Sequence, residues 1–294
     1  MGHYQRAYLP GEPQAPGAPV PCIAANVDGY GRSLNWILRV SAVSYLNTWP
    51  LVWGFLHGPG KGLFDFRFDL PADCAQALGD GEAAIGLVPC AELDRLGLDY
   101  LPDLGIACEG PVRSILLISK VPYREIRTLA VDSGSRSSVA LSRILLAERY
   151  GCQPQFHRMR PILEEMLAVC DGALIIGDPA LALDPDRLPW NSLDLGAEWV
   201  AWSGLPMVFA VWAGKDSVLT PEVAKAFQDS FDWGRSHMDE IVARAVPERG
   251  FGEELVREYL TSHIVYELGE RHRQGLELFR KLARAIPAPI ETAV

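Results

Sequence analysis

The sequence predicts an α/β protein built as two lobes with a hinge between them. Its 294 residues, 49% of them hydrophobic, exceed what one core usually organises. Short apolar strands alternate with amphipathic helices through much of the chain, the rhythm of parallel sheets covered on both faces. Two further apolar strands, near 112–119 and 205–212, are placed to carry the chain from one unit to the other. The expected divisions are a flexible tail over 1–37, a first lobe over 38–118 plus 206–294, and a second lobe over 119–205.

The tail is rich in Pro, Gly and Ala and shows no periodicity, so it buries too little apolar surface to offset the entropy of ordering. Residues 38–43 read as a buried strand ending in the polar loop Ser44-Tyr45-Leu46-Asn47-Thr48. Pro50 then opens a helix over 51–56, as proline does in a first helical turn. Strict alternation over 64–70 marks a half-buried strand. A helix over 72–78, a strand over 83–88 and a helix over 90–96 complete the first unit. After the strand at 112–119 and Pro122, strands at 128–131, 155–159 and 173–176 alternate with helices at 137–150 and 162–169. From Thr220 the chain reads as helical: Thr220 is a good N-cap, Pro221 suits the first position, and Glu222 favours the positive helix end.

A formal net charge of −10 argues against nucleic acid and anionic membrane as partners, because both need clustered Lys and Arg. An anionic small molecule stays admissible, since exposed charge is screened beyond roughly 8 Å at physiological salt. Six cysteines without short paired spacing suggest reduced thiols rather than a zinc site or a disulfide framework. The longest apolar stretch, 205–213, is too short to span a bilayer. No basic residues followed by an apolar run mark a secretory leader, so the expected location is cytoplasmic. The six histidines lack paired metal spacing, and the glycine-rich run 58–62 lacks the hydroxyl residue and preceding strand of a phosphate loop.

Ligands of such folds sit outside the carboxyl ends of strands, where loops of both units meet. The turn from Asp132 through Ser133, Gly134, Ser135, Arg136, Ser137 and Ser138 lies between a strand and a helix. Free backbone N–H groups, hydroxyls and a guanidinium there form a cradle for carboxylate or phosphate; simple N-capping is the structural alternative. In the loop after the first strand, Tyr45, Asn47 and Thr48 either face the crevice or serve turn and cap chemistry. Ser114 interrupts an apolar strand, where a hydroxyl needs a partner or a cavity. Asp178, followed by Pro179, is either an N-cap or a crevice residue.

Five segments in order carry a family resemblance: 43–51 (VSYLNTWPL), 109–114 (EGPVRS), 135–141 (SRSSVAL), 176–181 (IGDPAL), and 194–196 (DLG) through 204–212 (GLPMVFAVW). Together they resemble the chorismate dehydratases of the futalosine route to menaquinone, over roughly residues 38–290. The resemblance implies a fold like the type II periplasmic binding proteins, and a lyase that dehydrates chorismate to 3-[(1-carboxyvinyl)oxy]benzoate. It carries the catalytic roles onto Asn47 and Ser114 and leaves Tyr45, Thr48, Ser135, Arg136, Ser137, Ser138 and Asp178 as substrate-binding candidates. It implies no metal and no organic cofactor. Ser137 and Ser203 stand where the family usually has Thr, and Met207 where it usually has Phe. A 1,4-dihydroxy-6-naphthoate synthase and a non-catalytic solute-binding protein are the alternatives that share this architecture.

Overall fold

The computed structural model describes residues 26–27, 33–34, 37–286 and 291–293. Most of the expected tail therefore lies outside the described residues; β1 (Asn26–Val27) and β2 (Ser33–Leu34) pair antiparallel within it. The first lobe begins with β3 (Arg39–Val43), α1 (Trp49–His57), β4 (Asp65–Asp69), α2 (Pro71–Gly79), β5 (Ile85–Pro89), α3 (Leu93–Leu96) and β6 (Asp99–Cys108). The second holds β7 (Ile115–Ser119), β8 (Thr128–Asp132), α4 (Ser137–Glu148), β9 (Gln155–Met159), α5 (Leu163–Val169), β10 (Gly172–Ile176), α6 (Gly177–Leu181), β11 (Asn191–Asp194) and α7 (Leu195–Ser203). The chain then returns through β12 (Met207–Gly214), α8 (Pro221–Ser236), α9 (Met238–Arg249), α10 (Glu253–Glu258), β13 (Val265–Glu267) and α11 (Glu270–Ala285), and ends in β14 (Glu291–Ala293).

Two six-stranded sheets result, ordered β13-β6-β12-β5-β3-β4 and β11-β7-β10-β8-β9-β14. The expected parallel pairing holds for β3 with β4 and β5, and for β8 with β9 and β10. Strands next to the crossovers run antiparallel instead: β12 against β5 and β6, and β7 against β10. This corrects the expected boundary. β7 belongs to the second sheet, so the outward crossing is the irregular segment 109–114 rather than a strand ending at 118. The return crossing is 204–206, and β14 adds the C-terminal end of the chain to the second sheet beside β9.

Periodicity alone misses β6, and its sequence explains why. Pro102 and Gly105 break the apolar pattern. Pro102 falls where the pairing with β12 jumps from Tyr100–Ala213 to Gly105–Val211, the kind of irregularity that tolerates a residue without an N–H. The core beneath the first sheet is aromatic. Phe227 of α8 packs against Trp212, with ring centroids 4.7 Å apart, and against Phe55 at 5.1 Å. Burying rings of this size contributes on the order of 2–3 kcal/mol each. Helices α1 and α8 approach so closely that a Cβ on Gly234 would stand 2.1 Å from the Pro50 carbonyl oxygen. Thr220 caps α8 as expected, its hydroxyl accepting from the Val223 N–H at 3.3 Å.

Candidate active site

A crevice of about 550 Å3, including its open mouth, lies between the lobes. Val43, Leu87, Ile106, Ile115, Ile176 and Phe209 give it apolar walls, and its polar lining comes from two places.

The first is a chain of three side chains. Asn47 lies in the 3-10 turn Leu46–Thr48, set by the polar loop that ends β3. Its Nδ2 donates to the Tyr259 hydroxyl at 3.1 Å, and that hydroxyl donates to Ser114 Oγ at 2.8 Å. Asn47 and Ser114 both line the crevice, and the Tyr259 side chain between them is fully buried. Burial pushes the Tyr259 phenol well above its ordinary range, so it stays protonated near neutral pH.

Ser114 owes its position to a strained neighbour. Arg113 has φ +67°, unusual for a residue with a Cβ. The surroundings hold it there: its N–H and that of Val112 donate to the two carboxylate oxygens of Asp194, at 2.6 and 3.0 Å. Its guanidinium reaches the Leu183 carbonyl at 2.5 Å. Asp194 also caps α7 through the Ala197 N–H, so one carboxylate ties the crossover to a helix end.

The second polar lining is the turn before α4, where Ser135, Arg136, Ser137 and Ser138 all face the crevice. The first amides of a helix lack intrahelical acceptors and carry partial positive charge. Ser135 Oγ is buried and has no hydrogen-bond partner among the described residues. Ser137 is already engaged: its hydroxyl donates to the Phe209 carbonyl at 2.8 Å and accepts from the Ala91 N–H at 3.3 Å, joining the lobes. The Arg136 guanidinium donates to the Ser133 and Ser135 carbonyls and stands 3.5 Å from Glu92 Oε1, bracing the turn from one side. Below it, Asp132 Oδ1 accepts from the Gly134 N–H at 2.9 Å while Oδ2 is buried without a hydrogen-bond partner among the described residues. Burial pushes the Asp132 carboxyl up to about 6, against the weaker downward pulls of that N–H and of Arg136.

Two of the candidate residues stand behind the crevice wall. Thr48 is fully buried. Asp178 is not the N-cap its Pro179 neighbour suggests; α6 starts at Gly177, and the Asp178 carboxylate reaches across to the other lobe. There it accepts from the Leu46 N–H at 3.0 Å and sits 3.0 Å from Arg249 Nη1, both side chains at most 15% exposed. Arg249 also donates to the Ser44 carbonyl at 2.8 Å and lies over the Trp49 ring. Burial pushes the Asp178 carboxyl up, and Arg249 pulls it back. Tyr45, which lines the crevice, packs against Gly177, whose φ is +65°. The lobes are thus clasped on both flanks. Sequence reading singled out neither Tyr259 nor Arg249. Each sits in a helical stretch whose pattern marks it only as a helix residue.

Ser203 Oγ accepts from the Leu205 N–H at 3.1 Å, and Met207 is fully buried, so both serve the return crossover. His272 is largely buried, and its Nδ1 accepts from the Gly269 N–H at the start of α11. The five described cysteines are free thiols, and burial pushes those of Cys74 and Cys108 up to about 12. Among the described residues no helix is long and apolar enough to cross a membrane.

Comparison with known proteins follows the same lines. A sequence model of the menaquinone biosynthesis family matches residues 38–285. The chorismate dehydratase of Thermus thermophilus is 31% identical over 230 residues, which cover 71% of this chain and 83% of that protein. A crystal structure of an Archaeoglobus fulgidus protein superposes with a TM-score of 0.70 at 17% identity, covering 84% of this chain and 97% of the other. The periplasmic aliphatic sulphonate binding protein of Escherichia coli superposes with a TM-score of 0.56 at 13% identity, covering 87% and 93%. These structural likenesses establish a periplasmic-binding-protein-like fold.

Proposed function

The chain belongs to the menaquinone biosynthesis family, and from that premise we propose that it is a hydro-lyase converting chorismate to 3-[(1-carboxyvinyl)oxy]benzoate and water, a step of the futalosine route. The observation that carries the reading is the pairing of two unlike polar linings across one apolar crevice. One is the Asn47–Tyr259–Ser114 chain, and the other is the anion-suited turn before α4.

Chorismate brings two carboxylates, a ring hydroxyl, and a hydrogen on the neighbouring carbon that bears the ether. Loss of that proton puts charge in conjugation with the ring carboxylate. Departure of the hydroxyl then yields an aromatic ring, which makes the step effectively one-way. The protein's work is to hold the carboxylates, stabilise developing charge and help the hydroxyl leave. The α4 amides with the Ser135 and Ser138 hydroxyls suit one carboxylate, and charge-assisted hydrogen bonds of this kind contribute about 1.5–3 kcal/mol each. Ser137, with its hydroxyl joined to Phe209, holds the lobes rather than the ligand. Asn47 and Ser114 stand on the other lining, ready to meet the leaving hydroxyl. The substrate's own enolpyruvyl carboxylate lies near the proton to be removed and serves as the base.

The test is incubation with chorismate, followed by ultraviolet absorbance and product mass. The expected product is lighter than chorismate by one water. Binding without turnover would leave a solute-binding protein. Turnover of the larger naphthoate precursor instead would make it a naphthoate synthase.

A further inference from the structure

The geometry points to Tyr259 as a positioning residue that sets the direction in which Ser114 and Asn47 offer their hydrogen bonds to the crevice. The inference rests on the reading of Asn47 and Ser114 as the groups that meet the leaving hydroxyl, and it concerns what makes them effective there.

A tyrosine hydroxyl has one proton to give. Here that proton goes to Ser114 Oγ at 2.8 Å, while the phenol oxygen accepts from Asn47 Nδ2 at 3.1 Å. Ser114 therefore has an acceptor site filled from behind, and its own O–H is left to point forward. The three groups form a run of donors in one sense: amide to phenol, phenol to serine, serine to whatever occupies the crevice. Hydrogen bonds aligned this way polarise one another, the more so away from water, and Tyr259 is fully buried. The same arrangement spends one N–H of Asn47 and leaves its other N–H and its carbonyl for the crevice.

The backbone around Tyr259 is built to hold this position. Tyr259–His263 is a π-helical turn, closed by the Ile264 N–H on the Tyr259 carbonyl at 3.2 Å. Such turns are rare and often mark functional sites. Its far end grips the same crossover: His263 Nδ1 lies 2.9 Å from the Pro111 carbonyl, which makes that nitrogen the donor. One helical turn thus fastens 111–114 at two points, three residues apart, with Ser114 at the catalytic end. Burial keeps the phenol protonated, as a fixed donor requires.

The experiment is steady-state turnover of chorismate by the full chain carrying Tyr259→Phe, Ser114→Ala, or both. Tyr259→Phe is expected to lower kcat on the order of 10- to 100-fold with KM within about twofold, because aimed donors act chiefly in the transition state. The double variant should be slower than Ser114→Ala by far less than Tyr259→Phe slows the wild type, since the phenol acts chiefly through the serine and only the remainder through Asn47. Tyr266→Phe is the control: Tyr266 is also buried, and its hydroxyl has no hydrogen-bond partner among the described residues, so kcat should stay at the wild-type value. If Tyr259→Phe fails to fold, p-fluorophenylalanine at 259 fills the hydroxyl's space without its proton, and the same loss of kcat is expected. A slow Ser114→Ala beside a Tyr259→Phe of wild-type kcat overturns the positioning role alone. Independent, multiplying losses in the double variant overturn it too. Wild-type turnover by Ser114→Ala overturns the underlying catalytic reading and this inference with it.

Discussion

The two linings of the crevice differ in how complete they are. On the Asn47–Tyr259–Ser114 side each side chain has a partner within the protein, and the strained Arg113 beside it is held by Asp194 and two carbonyls. On the α4 side Ser135 Oγ, on the crevice lining, and Asp132 Oδ2, under the turn, are buried without hydrogen-bond partners among the described residues. Buried polar groups usually find partners, so the unpartnered Ser135 hydroxyl on the crevice lining suits a ligand that completes it. A set that is already filled is aimed rather than waiting. Under the proposed function, the filled wall acts in the transition state and the open one binds the ground state.

Breaking the aimed wall should cost the most. Asn47→Ala and Ser114→Ala are each expected to lower kcat about 10²–10³-fold while changing the affinity of a product analogue little. Stopped-flow absorbance with a parallel melting curve checks this. Near-normal turnover by both would return those residues to a structural role.

The clasp that brings the walls together comes next. Asp178→Ala leaves Arg249 buried without its carboxylate, a loss of about 3 kcal/mol. A fall in Tm and a larger radius of gyration by X-ray scattering are expected, since the pair bridges the lobes. An unchanged scattering profile would show that the other bridges suffice.

Asp132 should respond in the opposite sense. Its carboxyl is raised to about 6 from 3.8, so the unfolded chain ionises first, and stability falls as pH rises through that interval. At neutral pH its buried charge is therefore destabilising by about 3 kcal/mol. Asp132→Asn is expected to raise Tm at pH 7.5, with the gain fading toward pH 4. It should also flatten any rise in KM above pH 6, because the charge under the turn opposes a bound carboxylate. A Tm lowered at both pH values would show that the ionised form is bonded after all.

The smallest effect is expected of Arg136→Ala. Its guanidinium braces the turn through the Ser133 and Ser135 carbonyls, so loss should raise KM about tenfold and leave kcat nearly unchanged. A larger fall in kcat than rise in KM would move Arg136 to the reacting side.

Most of the strand and helix rhythm was legible because it is local. The alternation at 64–70, Pro50 in the first turn of α1, and Thr220 as a cap all act within a few residues, and each stands where expected. The loop at 44–48 and the turn at 132–138 were legible for the same reason. Tyr259 was not, since its partners lie 145 and 212 residues away and its own neighbours spell only a helix. Asp178 left two readings open because Pro179 speaks locally for a cap, whereas its partners, the Leu46 amide and Arg249, come from the other lobe. The lobe boundary failed similarly: an apolar strand at 115–119 looks alike in either sheet, and only pairing with β10 and β11 assigns it.

One glycine sets how near the lobes can come. A methyl group on Gly177 would stand 2.5 Å from the Tyr45 ring, and the backbone there already has φ +65°. Any larger side chain must therefore push the ring, and the loop that carries Asn47, away from the opposite lobe. The position works as a shim whose thickness is zero. Adding thickness would hold the mouth ajar, admit water to the crevice, and favour longer or bulkier ligands over compact ones. Substitution at this single residue is thus the simplest means of re-gauging the crevice for a different molecule, at a cost in closure that the melting and scattering measurements would reveal.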